Sequence, residues 1–194
     1  MKRICVFCGS SPGADPKFKE TAAALGKEIA LRGWELIYGG SDLGLMGVVA
    51  QSTVDNGGRV IGVMPKIFDG KVDHPPLSEL HIVESMHERK AMMNEMADAF
   101  IALPGGFGTF EEILEVITWA QIGFHAKPCG VLNISGYFDH LLAQLDTAME
   151  QHFLWQEHRD MLLCDTTPAG LFEQFAHYQA PIKDKWRDRA SRKK

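Results

Sequence analysis

Pro104-Gly105-Gly106-Phe107-Gly108-Thr109-Phe110-Glu111-Glu112 follows the apolar run Ala99-Phe100-Ile101-Ala102-Leu103 and leads into Ile113-Leu114-Glu115-Val116-Ile117-Thr118-Trp119. The pattern reads as strand, glycine turn, amphipathic helix. Glycines let the backbone approach a ligand closely, and the free N–H groups and positive dipole at a helix N-terminus favour an anion such as phosphate. Glu111 and Glu112 are expected in the first helical turn, beside that anion site. Two carboxylates there repel unless they serve different parts of one ligand, and a nucleotide, with phosphate at one end and hydroxyls at the other, satisfies both. First-turn glutamates also stabilise a helix without any function. It is the combination with the glycine turn, at the C-terminal end of a parallel strand, that points to a ligand site.

Outward from this stretch the chain alternates strand and helix. Strands are expected at residues 3–8, 34–38, 59–64, 79–84, 99–103, 128–133 and 161–165, with a helix after each except the third. Asp15-Pro16 caps and starts the first helix, which Gly33 ends. Glycine turns follow the first strand (Gly9-Ser10-Ser11-Pro12-Gly13) and the second (Gly39-Gly40-Ser41-Asp42-Leu43-Gly44-Leu45-Met46-Gly47). Residues 65–78 read as an irregular loop, broken by Pro65, Gly70, Pro75 and Pro76. The architecture implied is α/β, a single Rossmann-like doubly wound parallel sheet flanked by helices, with the glycine turns at one edge.

Composition narrows the function classes. The chain has 194 residues, 45% of them hydrophobic, enough for one substantial core and one domain over residues 1–180. No apolar stretch reaches the roughly 20 residues of a membrane span, and Met1-Lys2-Arg3 runs into a strand without a leader pattern, so a cytoplasmic protein without membrane partners is expected. Twenty basic against 25 acidic residues give −5; residues 183–194 hold seven basic and two acidic, leaving −10 on the rest. An acidic body argues against nucleic-acid binding, and the basic tail, 181–194, reads as a flexible, solvated terminus. Cys5 and Cys8 form a C-x-x-C within one strand, where an offset of three points them to opposite faces. With Cys129 and Cys164 isolated, no metal site is expected. None of the eight histidines has a partner at telling spacing.

Cations come from the helix after the fourth strand. Met86, Arg89, Lys90 and Met93 recur at i, i+3, i+4 and i+7 on one face, while Met92 and Met96 fall on its flank and read as core. A cation early in a helix opposes the dipole, so Arg89 calls for a negative partner, either a ligand phosphate or Glu112.

Met86-His87-Glu88-Arg89-Lys90 and the opening motif, with Tyr38-Gly39-Gly40 and Gly44-Leu45-Met46-Gly47 upstream, resemble the LONELY GUY (LOG) family, the cytokinin riboside 5'-monophosphate phosphoribohydrolases. The likeness runs from about residue 3 to 180. It implies a homodimer without cofactor that hydrolyses the N-glycosidic bond of a nucleoside 5'-monophosphate, such as AMP or an N6-modified AMP, to free base and ribose 5-phosphate. Carried over by motif, Arg89 and Glu112 are the catalytic pair. Met86, Lys90, Gly105, Gly106, Phe107, Gly108, Thr109, Phe110, Glu111 and Thr118 bind substrate, with Gly9, Ser10 and Gly40 on the other side. Departures are Ser41 for a third glycine, Phe107 for tyrosine, and Lys66-Ile67 where plant members carry an acidic residue.

Two other readings share this sequence. A non-catalytic nucleotide or cofactor carrier uses the same fold. Relatives also carry the label lysine decarboxylase, which requires a pyridoxal phosphate Schiff base, with Lys90 the nearest lysine. A dehydrogenase is disfavoured because the first turn lacks G-x-G-x-x-G.

Overall fold

A computed structural model describes residues 1–73 and 75–181. The basic tail read from the sequence lies, from residue 182 on, outside the described residues.

Seven strands, β1 (Arg3–Phe7), β2 (Glu35–Tyr38), β3 (Arg59–Pro65), β4 (Glu79–Val83), β5 (Ala99–Ala102), β6 (Cys129–Leu132) and β7 (Leu162–Asp165), form one sheet. Its order is β4-β3-β2-β1-β5-β6-β7, with every neighbouring pair parallel. The strands are apolar on both faces because helices cover both. Alternation along β1 shows the division. Ile4, Val6 and Cys8 face α1 (Pro16–Leu31), α2 (Gly44–Asp55) and α7 (Pro168–His177). Cys5 and Phe7 face α3 (Met86–Met96), α4 (Phe107–Gln121) and α5 (Asp139–Glu150). The two cysteines therefore lie on opposite faces, as the offset predicts. Each large aliphatic side chain buried this way contributes roughly 1.5–3 kcal/mol.

Most boundaries agree with the sequence pattern to within a residue or two. Asp15 accepts the Lys17 N–H at 3.0 Å as the cap of α1. Three short pieces escaped the pattern: single 3-10 turns at Lys66–Phe68 and Ile134–Gly136, and α6 (Gln156–Arg159). None is long enough to show a period.

One expectation needs correction. Glu111 and Glu112 are not in the first turn of α4, whose helix already begins at Phe107 with Gly106 as its cap. The sequence reads Gly108-Thr109 as turn, but both are helical, so the glutamates lie one turn deeper. The first-turn N–H groups of Phe107, Gly108 and Thr109 thus stand open at the end, with the carboxylates below them.

β1 is where the strand order reverses, with β2 on one side and β5 on the other. Such a switch point opens a crevice beyond the strands' carboxyl ends. The three glycine turns meet there and are latched in series: Leu45 N–H donates to Gly9 O, and Gly9 N–H to Pro104 O, both at 3.0 Å. Gly44 makes this approach feasible. Its φ is +55°, and a Cβ there would lie 2.4 Å from the Ser10 carbonyl carbon.

Candidate active site

The crevice holds a cavity of about 480 Å³. Its walls are mostly apolar: Leu43 from the second turn, Met46 from α2, Met64 and Pro65 from β3, Phe68 and Val72 from the following loop, Met86 from α3 and Phe107 from α4. Arg89 and Glu112 supply the charge, each only 8% exposed.

Their pairing follows from the start of α3. Ser85 caps that helix by accepting the Glu88 N–H at 3.1 Å, and the Glu88 carboxylate returns to the Glu84 N–H at 2.9 Å. This fixes the first turn and sends Arg89 across the carboxyl end of β3. Its Nε donates to Val63 O at 3.0 Å, and its Nη1 donates to Glu112 Oε1. Gly39 leaves the room required, since a Cβ there would come 2.7 Å from Arg89 Nη2. The negative partner that the helix position demanded is Glu112.

Burial pushes the Glu112 carboxyl above the usual glutamate range, against the opposing charge and hydrogen bond of Arg89. The Cys8 thiol on the cavity wall is pushed up strongly by burial and by the Glu112 charge, so it stays a thiol and is a poor nucleophile.

Glu111 points elsewhere. Lys90, next to Arg89, donates to Glu111 and, at 2.9 Å, to Glu115. Burial alone would lower the Lys90 pKa, but the two carboxylates raise it overall. The like charges at 111 and 112 are therefore separated onto two cations rather than onto two parts of a ligand. Adjacent residues of α3 clasp adjacent residues of α4.

Of the residues singled out in the sequence, the structure brings Gly9, Ser10, Met86, Arg89, Gly106, Phe107, Gly108, Thr109 and Glu112 around this one cavity. Gly105 borders a smaller side pocket, across the turn from the main cavity. Gly40 packs on Met64 and Leu80, its chain neighbours Gly39 and Ser41 being wall residues. Phe110 stacks with Tyr137 and meets Phe138 edge-on, and the Thr118 hydroxyl donates to Leu114 O on the outer helix surface. Lys90, Phe110, Glu111 and Thr118 do not border the cavity. The face drawn through Met86 and Met93 divides: Met86 stands at the rim, whereas Met93 is fully in the core, with Met92 and Met96 at its margin.

Several wall residues were missed. Met46 sits inside a quoted motif and Met64 at the end of an expected strand, but nothing in one sequence distinguishes a wall methionine from a core one. Phe68 and Val72 lie in the irregular loop, whose backbone is tied to the second turn by Asp42 N–H to Asp73 O at 2.9 Å. That folding-over has no sequence signal. Lys66 reaches outward to Glu84 at 3.2 Å.

A doubly wound sheet with an apolar cavity at its switch point, an open helix N-terminus on one wall and a buried arginine–carboxylate pair defines a nucleotide-type Rossmann protein. Residues 46–175 match the family described as "Possible lysine decarboxylase". The chain is 46% identical over 179 residues to "Cytokinin riboside 5'-monophosphate phosphoribohydrolase LOG" of Oryza sativa subsp. japonica, covering 92% of this chain and 74% of that protein. It is 46% identical over 177 residues to "Cytokinin riboside 5'-monophosphate phosphoribohydrolase LOG4" of Arabidopsis thaliana, covering 91% and 82%. Among solved structures, the molybdenum cofactor binding protein from Rippkaea orientalis superposes with a TM-score of 0.70 at 22% identity, over 91% of this chain and 97% of that one. At that identity the last likeness concerns the fold alone. The chain belongs to the LOG family.

The decarboxylase label fits the site poorly. No lysine among the described residues borders the cavity. Lys90, held as an ammonium by two carboxylates, is the opposite of the neutral amine that a Schiff base needs.

Proposed function

We propose that this chain hydrolyses the N-glycosidic bond of a nucleoside 5'-monophosphate, releasing the free base and ribose 5-phosphate. The observation that carries the reading is the buried Arg89–Glu112 pair, set below an open helix N-terminus in an otherwise apolar cavity. The C1'–N bond breaks with its electron pair leaving on the base, and C1' acquires oxocarbenium character. The Glu112 carboxylate, held in place by Arg89, stabilises that positive charge and orients the water that bonds to C1'. One proton of the water ends on the departing base. The N–H groups at the start of α4 hold the 5'-phosphate, and the apolar wall of Leu43, Met64, Phe68 and Met86 receives the base with any N6 substituent.

The test is to incubate the protein with AMP and with N6-isopentenyl-AMP and to follow free base and ribose 5-phosphate by chromatography. Release from either supports the hydrolase. The ratio of kcat/KM between the two reads how much the apolar wall contributes. Bound but uncleaved nucleotide would instead favour a carrier.

A homodimer belongs to the same proposal. The rim of the cavity carries exposed apolar side chains, Leu43, Phe68, Met86 and Phe107, the last 96% exposed, and such a patch is suited to a partner surface. Sedimentation at micromolar concentration is expected to give the mass of two chains; a monomer would contradict it.

A further inference from the structure

The turn after β6 supplies a residue that neither motif contains. Cys129–Leu132 ends at Asn133, whose side chain accepts the Phe138 N–H and donates to Asp139 Oδ1, both at 2.7 Å. Between them Ser135 is held at a φ of 53°, and its hydroxyl donates to Asp15 Oδ2 at 2.7 Å. This tight turn presents Tyr137. Its ring sits edge-on to Phe18 and Phe138, with centroids 5.7 and 5.1 Å away, and lies parallel to Phe110 at 6.4 Å. Fixed on three sides, it directs its hydroxyl to one acceptor, the carbonyl oxygen of Gly105.

That carbonyl belongs to the peptide joining Gly105 to Gly106. In a trans peptide the C=O and the N–H point in opposite directions. Drawing Gly105 O toward Tyr137, on the side-pocket flank, turns Gly106 N–H away from it. Gly105 borders only the side pocket, whereas Gly106 also borders the main cavity. Gly106 N–H has no acceptor among the described backbone groups, and it precedes the open N–H groups of Phe107, Gly108 and Thr109. A glycine pair has little intrinsic preference for one peptide orientation, so an outside group must set it.

We propose that Tyr137 is a positioning residue for the 5'-phosphate: by fixing the Gly105–Gly106 peptide, it aims a fourth backbone N–H into the phosphate end of the cavity. The inference rests on the nucleotide reading and assigns a determinant of phosphate recognition to a residue that does not itself touch substrate.

Tyr137→Phe keeps the ring and its three aromatic contacts and removes only the hydrogen bond. The variant and the wild type are compared by thermal melting, by steady-state hydrolysis of AMP or N6-isopentenyl-AMP, by inhibition with the matching nucleoside, and by calorimetric titration with inorganic phosphate. Loss of one aligned hydrogen bond is expected to raise the nucleotide KM about three- to tenfold and to weaken phosphate by a similar factor. The nucleoside inhibition constant should move less than about twofold, since that ligand has no phosphate for the N–H to meet. Unchanged phosphate and nucleotide affinity would overturn the proposal. Equal weakening of nucleoside and nucleotide would also overturn it, because that is what general loosening of the site produces. The phosphate titration needs no turnover. A wild type that binds phosphate but cleaves neither nucleotide would therefore count against the hydrolase reading while still deciding the role of Tyr137.

Discussion

Glu112→Gln is expected to lower kcat by at least about a hundredfold while the protein remains folded. Glutamine keeps a carbonyl oxygen that can accept from Arg89 Nη1, so the geometry that holds α3 against α4 survives. What it removes is the negative charge opposite the developing oxocarbenium, a contribution made mainly in the transition state. The loss should therefore fall on kcat more than on KM. The pH dependence supplies a second check. In the proposed mechanism the active form is the carboxylate, and burial places its pKa above the ordinary 4.5. Activity should therefore fall as pH is lowered, with the acid limb of kcat/KM centred above 4.5. The residual activity of Glu112→Gln should lack that limb. Wild-type kcat in a variant with an unchanged melting temperature would remove Glu112 from the chemistry.

Arg89→Ala carries the larger structural penalty. It deletes the guanidinium that satisfies Val63 O and Glu112 together and leaves a buried carboxylate without its cation. Breaking a buried pair from one side costs about 3–5 kcal/mol, enough to lower the melting temperature clearly in a domain this size. Activity should fall as well, because Glu112 loses the group that fixes it. Its pKa, already raised by burial, should climb further once the opposing charge is gone, moving any residual acid limb to higher pH. Arg89→Lys is not expected to restore function. One ammonium at the end of a flexible stem cannot reproduce the fork that reaches β3 and α4 at once. A lysine variant with wild-type kcat/KM would show that only charge, and not the fork, matters at this position.

Much of the fold was legible because parallel strands covered on both faces are continuous apolar runs, and the punctuation between them is glycine and proline. Val60 to Met64 and Ala99 to Leu103 announce themselves in this way. The Arg89–Glu112 contact was foreseeable from electrostatics, since a cation early in a helix has to find an anion. The destination of Glu111 was not. Whether it faces ligand or Lys90 depends on where α4 begins, and Gly108-Thr109 reads as turn or helix equally well until the packing of the strand fixes it. Tyr137 was invisible for a different reason. It acts through a backbone carbonyl, and a backbone acceptor has no sequence identity to match. Phe68 and Val72 owe their place to a loop folded over the cavity, where sequence carries no period.

That loop separates two jobs in the chain. The Arg89–Glu112 pair and the turn proposed to hold phosphate are carried by helices rooted in the central strands and by turns latched through Gly9. The apolar wall proposed to face the base is completed by a short 3-10 turn and the residues after it, tied back through the Asp42–Asp73 backbone hydrogen bond. That segment can therefore change in length and in side chains without disturbing the geometry of the Arg89–Glu112 pair. Grafting the corresponding loop between relatives should transfer preference among bases as a cassette, while the rate of bond cleavage stays with the scaffold that receives it.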